Sequence, residues 1–178
     1  MRSVTVYLSS SPGRPAEIAA IKELARELAR RRLTLVYGGA QRGLMGVLAD
    51  AALADGAKVI GVIPQALVDF EVAHRGLTEQ HVVSTMHERK AMMFSLADAF
   101  VVAPGGFGTL EEAFEQLTGY QLGYHRKPIV FLEVDGFWQR LEGFLDHAVD
   151  IGVLLPETRA LFRTASSAAA ALDVLAAW

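Results

Sequence analysis

The chain contains no cysteine. Disulfides, thiol nucleophiles and cysteine-ligated zinc or iron–sulfur centres are therefore excluded. Lysine is scarce, present only as Lys22, Lys58, Lys90 and Lys127. None of them sits in a recognisable motif for a pyridoxal-phosphate Schiff base. Charged residues make up 21% of the chain, the net charge is −3, and no basic run exceeds Arg30-Arg31-Arg32. Duplex binding normally shows as a clustered basic face, so nucleic acid is not an expected partner. The three arginines read instead as the cationic end of a helix, complementing its dipole. No apolar run approaches the ~18 residues of a membrane helix, and no signal-peptide pattern opens the chain. A cytoplasmic protein without a membrane partner is expected. The histidines His74, His81, His87, His125 and His147 show no metal-ligand spacing. His87-Glu88 begins like H-E-x-x-H, but Ala91 stands where the second histidine is required. No metal and no cofactor are expected.

What is present is an alternation. The 178 residues suit one domain with an interior large enough for a sizeable core. Apolar strand-like runs at Val4 to Leu8, Leu33 to Tyr37, Lys58 to Ile63, Ala99 to Val102 and Ile129 to Leu132 are separated by helical patterns. Those helices are predicted over Ala16 to Arg30, Leu44 to Ala54, His87 to Ala97, from Leu110, over Gly136 to Asp150, and over Ala168 to Ala177. A more polar strand is predicted at Glu79 to Val83 and a weak one near Leu161 to Arg163. Thr85 and Glu88 have the spacing of a capping box. Gln65 to Thr78 is the least regular stretch and reads as a lid or rim loop. Strands alternating with helices imply right-handed crossovers and an α/β fold, a doubly wound parallel sheet of Rossmann-like kind in a single domain. Hydrophobic residues form 52% of the chain, which fits burial against a partner subunit.

The densest signal is Pro104-Gly105-Gly106-Phe107-Gly108-Thr109-Leu110-Glu111-Glu112, lying between a predicted strand and a predicted helix. Glycine lets the backbone approach a ligand closely. The unpaired N–H groups at the start of the helix favour an anion such as phosphate. Thr109 adds a hydroxyl and Glu112 a carboxylate. Two further turns follow strands, Ser9-Ser10-Ser11 and Gly38-Gly39. In an open parallel sheet, ligands bind beyond the carboxyl ends of the strands, so all three turns should converge on one cleft. The spacing of Gly38, Gly39, Gly43 and Gly46 does not match a dinucleotide fingerprint, and the chain has no Walker-type Gly-Lys-Ser/Thr. Gly43 and Gly46 have a packing role as an equal alternative.

Taken together, these motifs resemble the LOG family, phosphoribohydrolases of cytokinin riboside 5′-monophosphates often labelled "lysine decarboxylase-like". The match rests on the PGGxGTxxE run, on Arg89-Lys90 in Met86-His87-Glu88-Arg89-Lys90, and on Gly38-Gly39-Ala40-Gln41-Arg42-Gly43-Leu44-Met45-Gly46. The resemblance implies Arg89 and Glu112 as catalytic residues. It implies substrate contacts at Ser10, Gly38, Gly39, Glu71, Lys90, Gly105, Gly106, Phe107, Gly108, Thr109, Leu110, Glu111 and Thr118. It implies a nucleoside monophosphate as the small-molecule partner, and a homodimer. Bland readings stand beside these. Thr109-x-x-Glu112 is also a capping-box pattern, which would tie Glu112 to the backbone. Arg89 could be an ordinary solvated helix residue, and Lys90 could simply pair with a carboxylate such as Glu88. A non-catalytic nucleotide carrier on the same scaffold is the leading alternative function. A lysine decarboxylase is the third reading.

Overall fold

The computed structural model describes residues 1–70 and 72–178. Glu71, one of the expected substrate contacts, lies outside the described residues. The elements run β1 (Ser3–Tyr7), α1 (Pro15–Arg30), β2 (Thr34–Tyr37), α2 (Gly43–Ala54), β3 (Val59–Pro64), α3 (Gln65–Asp69), β4 (Glu79–Val83), α4 (Met86–Leu96), β5 (Ala99–Val102), α5 (Phe107–Gln121), β6 (Ile129–Leu132), α6 (Gln139–Asp150), α7 (Pro156–Arg159), β7 (Arg163–Ala165) and α8 (Ala168–Ala176). The strands form one seven-stranded sheet in the order β4-β3-β2-β1-β5-β6-β7. Every pairing is parallel.

The sequence explains this sheet. β2, β3, β5 and β6 are buried along most of their length, as strands covered on both faces must be, and they read as continuous apolar runs. β4 alternates between half-buried and exposed positions before Val83, which suits its place at the sheet edge. One face is covered by α1, α2 and α8 through Ile21, Leu24, Leu28, Leu48 and Leu172. The other carries α4, α5 and α6, with Met93, Ala113 and Trp138, the residue before α6, in one cluster with Tyr7, Phe100 and Phe131, and Leu141 and Leu145 of α6 against it. α1 begins at Pro15, whose fixed φ suits a first helical turn. At α4, Thr85 Oγ1 accepts from the Glu88 amide at 3.1 Å. The return arm goes one residue further back than a capping box requires, from the Ser84 amide to Glu88 Oε2 at 2.8 Å.

Several boundaries differ from expectation. α5 starts at Phe107, with Gly106 as its cap, so Thr109 lies inside the first turn and does not cap the helix. The last strand occupies Arg163–Ala165 rather than Leu161 to Arg163, while Phe162 is buried against the β6 face. α6 begins at Gln139 because Asp135 and Gly136 both take positive φ and form a turn first. The irregular 65–78 stretch contains the short helix α3. Among the described residues, no helix is long and apolar enough to cross a membrane.

Besides Glu17 of α1, which is taken up by Arg14 at the start of that helix, two core helices bury several polar residues each. The buried positions of α4 are Arg89, Lys90 and Met93, and those of α5 are Thr109, Glu112, Ala113 and Gln116. A helix resting on a sheet ordinarily buries an apolar stripe. The exceptions here mark the site.

Candidate active site

The chain leaves β1 at the centre of the sheet, winds outward through β2, β3 and β4, then returns to place β5 on the other side of β1. Such a reversal opens a crevice at the carboxyl ends of the strands. The ends of β1 and β5 are tied there by a hydrogen bond from the Ser9 amide to the Pro104 carbonyl at 3.2 Å. A cavity of about 490 Å³ lies at this place. Its walls come from the serine turn after β1, the glycine turn after β2, α4 and the start of α5.

The start of α5 forms one end of the cavity. Gly106 and Gly108 border it, and a Cβ built on either would meet nothing within 4 Å. This is free backbone at a helix N-terminus, fifteen residues of helix behind it, and suited to an anion. Phe107 also lines the cavity, yet its ring is 94% exposed. Gly105 sits behind the turn, where a Cβ would come within 2.1 Å of Thr109 Oγ1. Thr109 itself is buried and lines the cavity.

The reacting pair of the sequence reading meets in the middle. Arg89 on α4 and Glu112 on α5 are 7% and 5% exposed. Arg89 Nη1 stands 3.8 Å from Glu112 Oε1. The guanidinium is held by backbone: Nε donates to the Val62 carbonyl at 3.1 Å and Nη2 to the Gly38 carbonyl at 3.3 Å. Gly38 makes room for it, since a Cβ there would lie 1.8 Å from Arg89 Nη2. Burial pushes the Glu112 carboxyl up to about 7, against the pull of the Arg89 charge. A carboxyl with that affinity changes protonation near neutrality, as an acid–base group in such a cleft needs to. Beneath it, Tyr7 is held well above its ordinary value, first by burial and then by the Glu112 charge.

Beside this inner pair runs an outer one. Lys90 pairs with Glu111 and, at 3.1 Å, with Glu115. Its partners are therefore carboxylates of α5, not Glu88. Consecutive residues on α4 thus face consecutive residues on α5, and the outer contact fixes how the inner one meets. Lys90 opens into a neighbouring groove rather than into the cavity.

Of the remaining expected contacts, Ser10, Gly38 and Glu111 border the cavity. Gly39 lies just behind it with φ of 75°, its Cβ position 3.3 Å from the backbone of Val62. Leu110 turns toward the core. Thr118 is on another face of α5, against α6 and α7. Gly43 and Gly46 take the packing role: a Cβ on Gly43 would lie 2.2 Å from the Ser10 carbonyl oxygen, and one on Gly46 2.1 Å from that of Gln41. Arg42, Met45, Leu67, Val72 and Met86 line the cavity without having been singled out. Arg42 and Met45 were discoverable from their place directly after the β2 glycine turn. Leu67 and Val72 lie in the irregular stretch, where no periodicity marks a wall.

A parallel sheet with its cleft at the topological switch point, a helix N-terminus aimed into it and a buried carboxylate–guanidinium pair define a Rossmann-like α/β domain. The family model described as "Possible lysine decarboxylase" matches residues 45–175. A cytokinin riboside 5′-monophosphate phosphoribohydrolase from Rhodococcoides fascians is 49% identical over 89% of this chain and 81% of its own length. The rice protein of that name, called LOG, is 45% identical over 94% of this chain and 69% of its own length. The chain belongs to the LOG family. Among solved structures, a molybdenum cofactor binding protein from Rippkaea orientalis superposes with a TM-score of 0.75 at 18% identity, covering 99% of this chain and 96% of its own. The molybdenum cofactor carrier protein of Chlamydomonas reinhardtii gives 0.70 at 20% identity, covering 99% and 96%. At such identity these two likenesses speak for the fold alone.

Proposed function

We propose that the protein hydrolyses the N-glycosidic bond of a purine nucleoside 5′-monophosphate, with an N6-modified adenine as the base. The products are the free base, a cytokinin, and ribose 5-phosphate. The observation that carries this reading is Glu112: a buried carboxyl with proton affinity near neutrality, facing Arg89, one helical turn and a half from free backbone amides. The names of the relatives from Rhodococcoides fascians and rice support the same reaction.

The 5′-phosphate sits on the amides at Gly106 to Thr109 and on the helix dipole. This brings C1′ of the ribose toward the middle of the cleft. As the bond to the base lengthens, positive charge grows on the sugar, and the ionised Glu112 stabilises it. The same carboxylate orients the water and takes its proton. The electrons of the broken bond leave with the base, whose developing negative charge Arg89, held by two carbonyls, offsets without rearrangement, and the base takes up the proton that Glu112 received from the water. Binding energy from the phosphate contributes to positioning the sugar, so it should appear in turnover as well as affinity.

The assembly is read as a homodimer formed through the face of α4 and α5, in the cytoplasm. Support comes from the apolar residues this face leaves outside, including Phe107, Phe114, Leu122 and Tyr124. The cysteine-free composition suits the compartment.

The test is incubation with AMP and with isopentenyladenosine monophosphate, without added metal or cofactor, followed by chromatography of the released bases. Glu112→Gln and Arg89→Ala are each expected to lower turnover by at least about a hundredfold with circular dichroism unchanged. Wild-type turnover in both folded variants would sink the assignment. Carbon dioxide release from lysine, with a pyridoxal absorbance band, would establish a decarboxylase instead.

A further inference from the structure

A nucleotide laid along the cleft puts its phosphate at α5 and its sugar at Arg89 and Glu112. Its base then meets the rest of the lining, whose large apolar side chains include Met45, Leu67, Val72 and Met86. Two of these four come from the irregular 65–78 stretch, Leu67 from the short helix α3 and Val72 from the loop between α3 and β4. Loops of this kind form precise walls only when something outside them fixes their backbone.

Here the backbone is fixed twice. The Gln41 amide donates to the Val72 carbonyl at 2.7 Å, and the His74 amide donates to the Gly39 carbonyl at 2.9 Å. Ala40 and Ala73 form an antiparallel bridge between those two bonds. The Val72 amide in turn donates to the Leu67 carbonyl at 3.3 Å. The second fixing is a side chain. His74 is buried at 5% exposure. The Gly76 amide donates to its Nδ1 at 3.0 Å. With Nδ1 accepting, the ring proton is on Nε2, which lies 2.9 Å from Asp50 Oδ1 and donates to it. Asp50 belongs to α2, the helix whose first turn brings Arg42 and Met45 to the cavity. The imidazole therefore joins the loop wall to the helix wall. It does not itself line the cavity, and the proposed chemistry has no use for it.

We propose that His74 is a positioning residue for base recognition: it clamps the 72–76 segment to α2 so that Leu67 and Val72 present a fixed apolar wall to the substituent on the base. This rests on the hydrolase reading of the cleft. A buried imidazole bonded at both ends holds a segment in one place better than an apolar residue of the same size, because either bond broken leaves a buried polar group unsatisfied. The penalty for a loosened wall falls on the substrate that uses the wall. A nucleotide with an N6-alkyl substituent should suffer, and AMP, which lacks it, should suffer less.

The experiment measures kcat and KM for isopentenyladenosine monophosphate and for AMP with wild type, His74→Ala, His74→Gln and Asp50→Ala. His74→Ala should lower kcat/KM for the substituted nucleotide about tenfold relative to AMP, mainly through KM. His74→Gln, whose side-chain amide can take the place of Nε2–H and donate to Asp50, should recover much of the preference. Asp50 is 69% exposed in its side chain, so Asp50→Ala keeps the fold if His74→Ala does not, and it should shift the preference in the same direction. Faster amide exchange at residues 72–77 in the variants is the accompanying signature. Equal losses on both substrates, or none on either, overturn the inference and leave the hydrolase reading standing. A wild-type protein that releases base from neither nucleotide overturns both.

Discussion

Gly38 and Arg89 explain each other. Read in the sequence, Gly38 is half of a glycine turn suited to a ligand's close approach. In the structure the close approach is made by the protein's own guanidinium, whose Nη2 occupies the space a Cβ would need. Gly38→Ala should therefore expel the Arg89 side chain and reduce turnover to within about tenfold of Arg89→Ala. A steady-state assay on folded protein checks this, and full activity in Gly38→Ala would break the link. Glu112 makes a second residue-level prediction. In the proposed reaction its ionised form is the one that stabilises a cationic sugar and takes a proton from water. Burial raises its proton affinity to about 7, so the group is neutral and ineffective well below that pH. The pH profile of kcat/KM should rise through about 7 and level off above it. The limb should vanish in the residual activity of Glu112→Gln. A flat wild-type profile over this range would remove Glu112 from the role.

At the scale of elements, α4 and α5 act as a unit because their facing residues carry charge. The Lys90 charge favours ionisation of Glu112, and the charges of Glu111 and Glu115 oppose it. Lys90→Ala removes the favourable contribution and leaves the two opposing ones without their cation. The rising limb of the pH profile should move to higher pH, measurably even if maximal turnover survives. The N-terminus of α5 carries a separate expectation. Gly106 faces open cavity, so a valine there should obstruct a phosphate rather than the fold. Gly106→Val should raise KM steeply, and nucleosides lacking the 5′-phosphate should be poor substrates for the wild type. Comparable rates on adenosine and AMP would assign the turn another purpose. Long elements were legible in the sequence because buried parallel strands are apolar throughout and α1 has a clear period. α3 and α7 were not, since five and four residues are too few to show one. The sequence pattern places the start of α5 at Leu110, three residues late, because glycine at its second position weighs against helix by propensity alone. That same displacement made Thr109 resemble a cap. Arg89 and Glu112 were legible only as part of a spaced motif. Thr118, two turns along α5 from the site, shows how one helix carries neighbouring residues to different faces.

The whole molecule presents an uneven surface. The α1, α2 and α8 face is closed over a continuous core, whereas the α4 and α5 side leaves large apolar side chains in solvent, with Phe107 at 94%. A two-fold dimer would cover the same patch on each chain, burying more than about 1,000 Å² in total. Light scattering on a sizing column should give about twice the 19.3 kDa chain mass at micromolar concentration. A monomer with full activity would refute both the dimer and any contribution of a second subunit to the cleft.

The strand order also constrains how the chain can be made. β1 is synthesised first and sits at the middle of the sheet, yet its partner on one side is β5, with Val4 opposite Ala99. Until that strand emerges from the ribosome, one edge of β1 is an open row of amides and carbonyls, and an apolar face of the nascent sheet waits for α5 and α6. Parallel pairing at such sequence distance is slow to close, and an unpaired hydrophobic edge is an invitation to aggregate. The division falls between the two residues proposed for catalysis: Arg89 belongs to the early half and Glu112 to the late one. A nascent chain stalled before β5 therefore has neither a closed sheet nor a usable active site, so the window in which the chain most needs a chaperone is also one in which it has no enzymatic power.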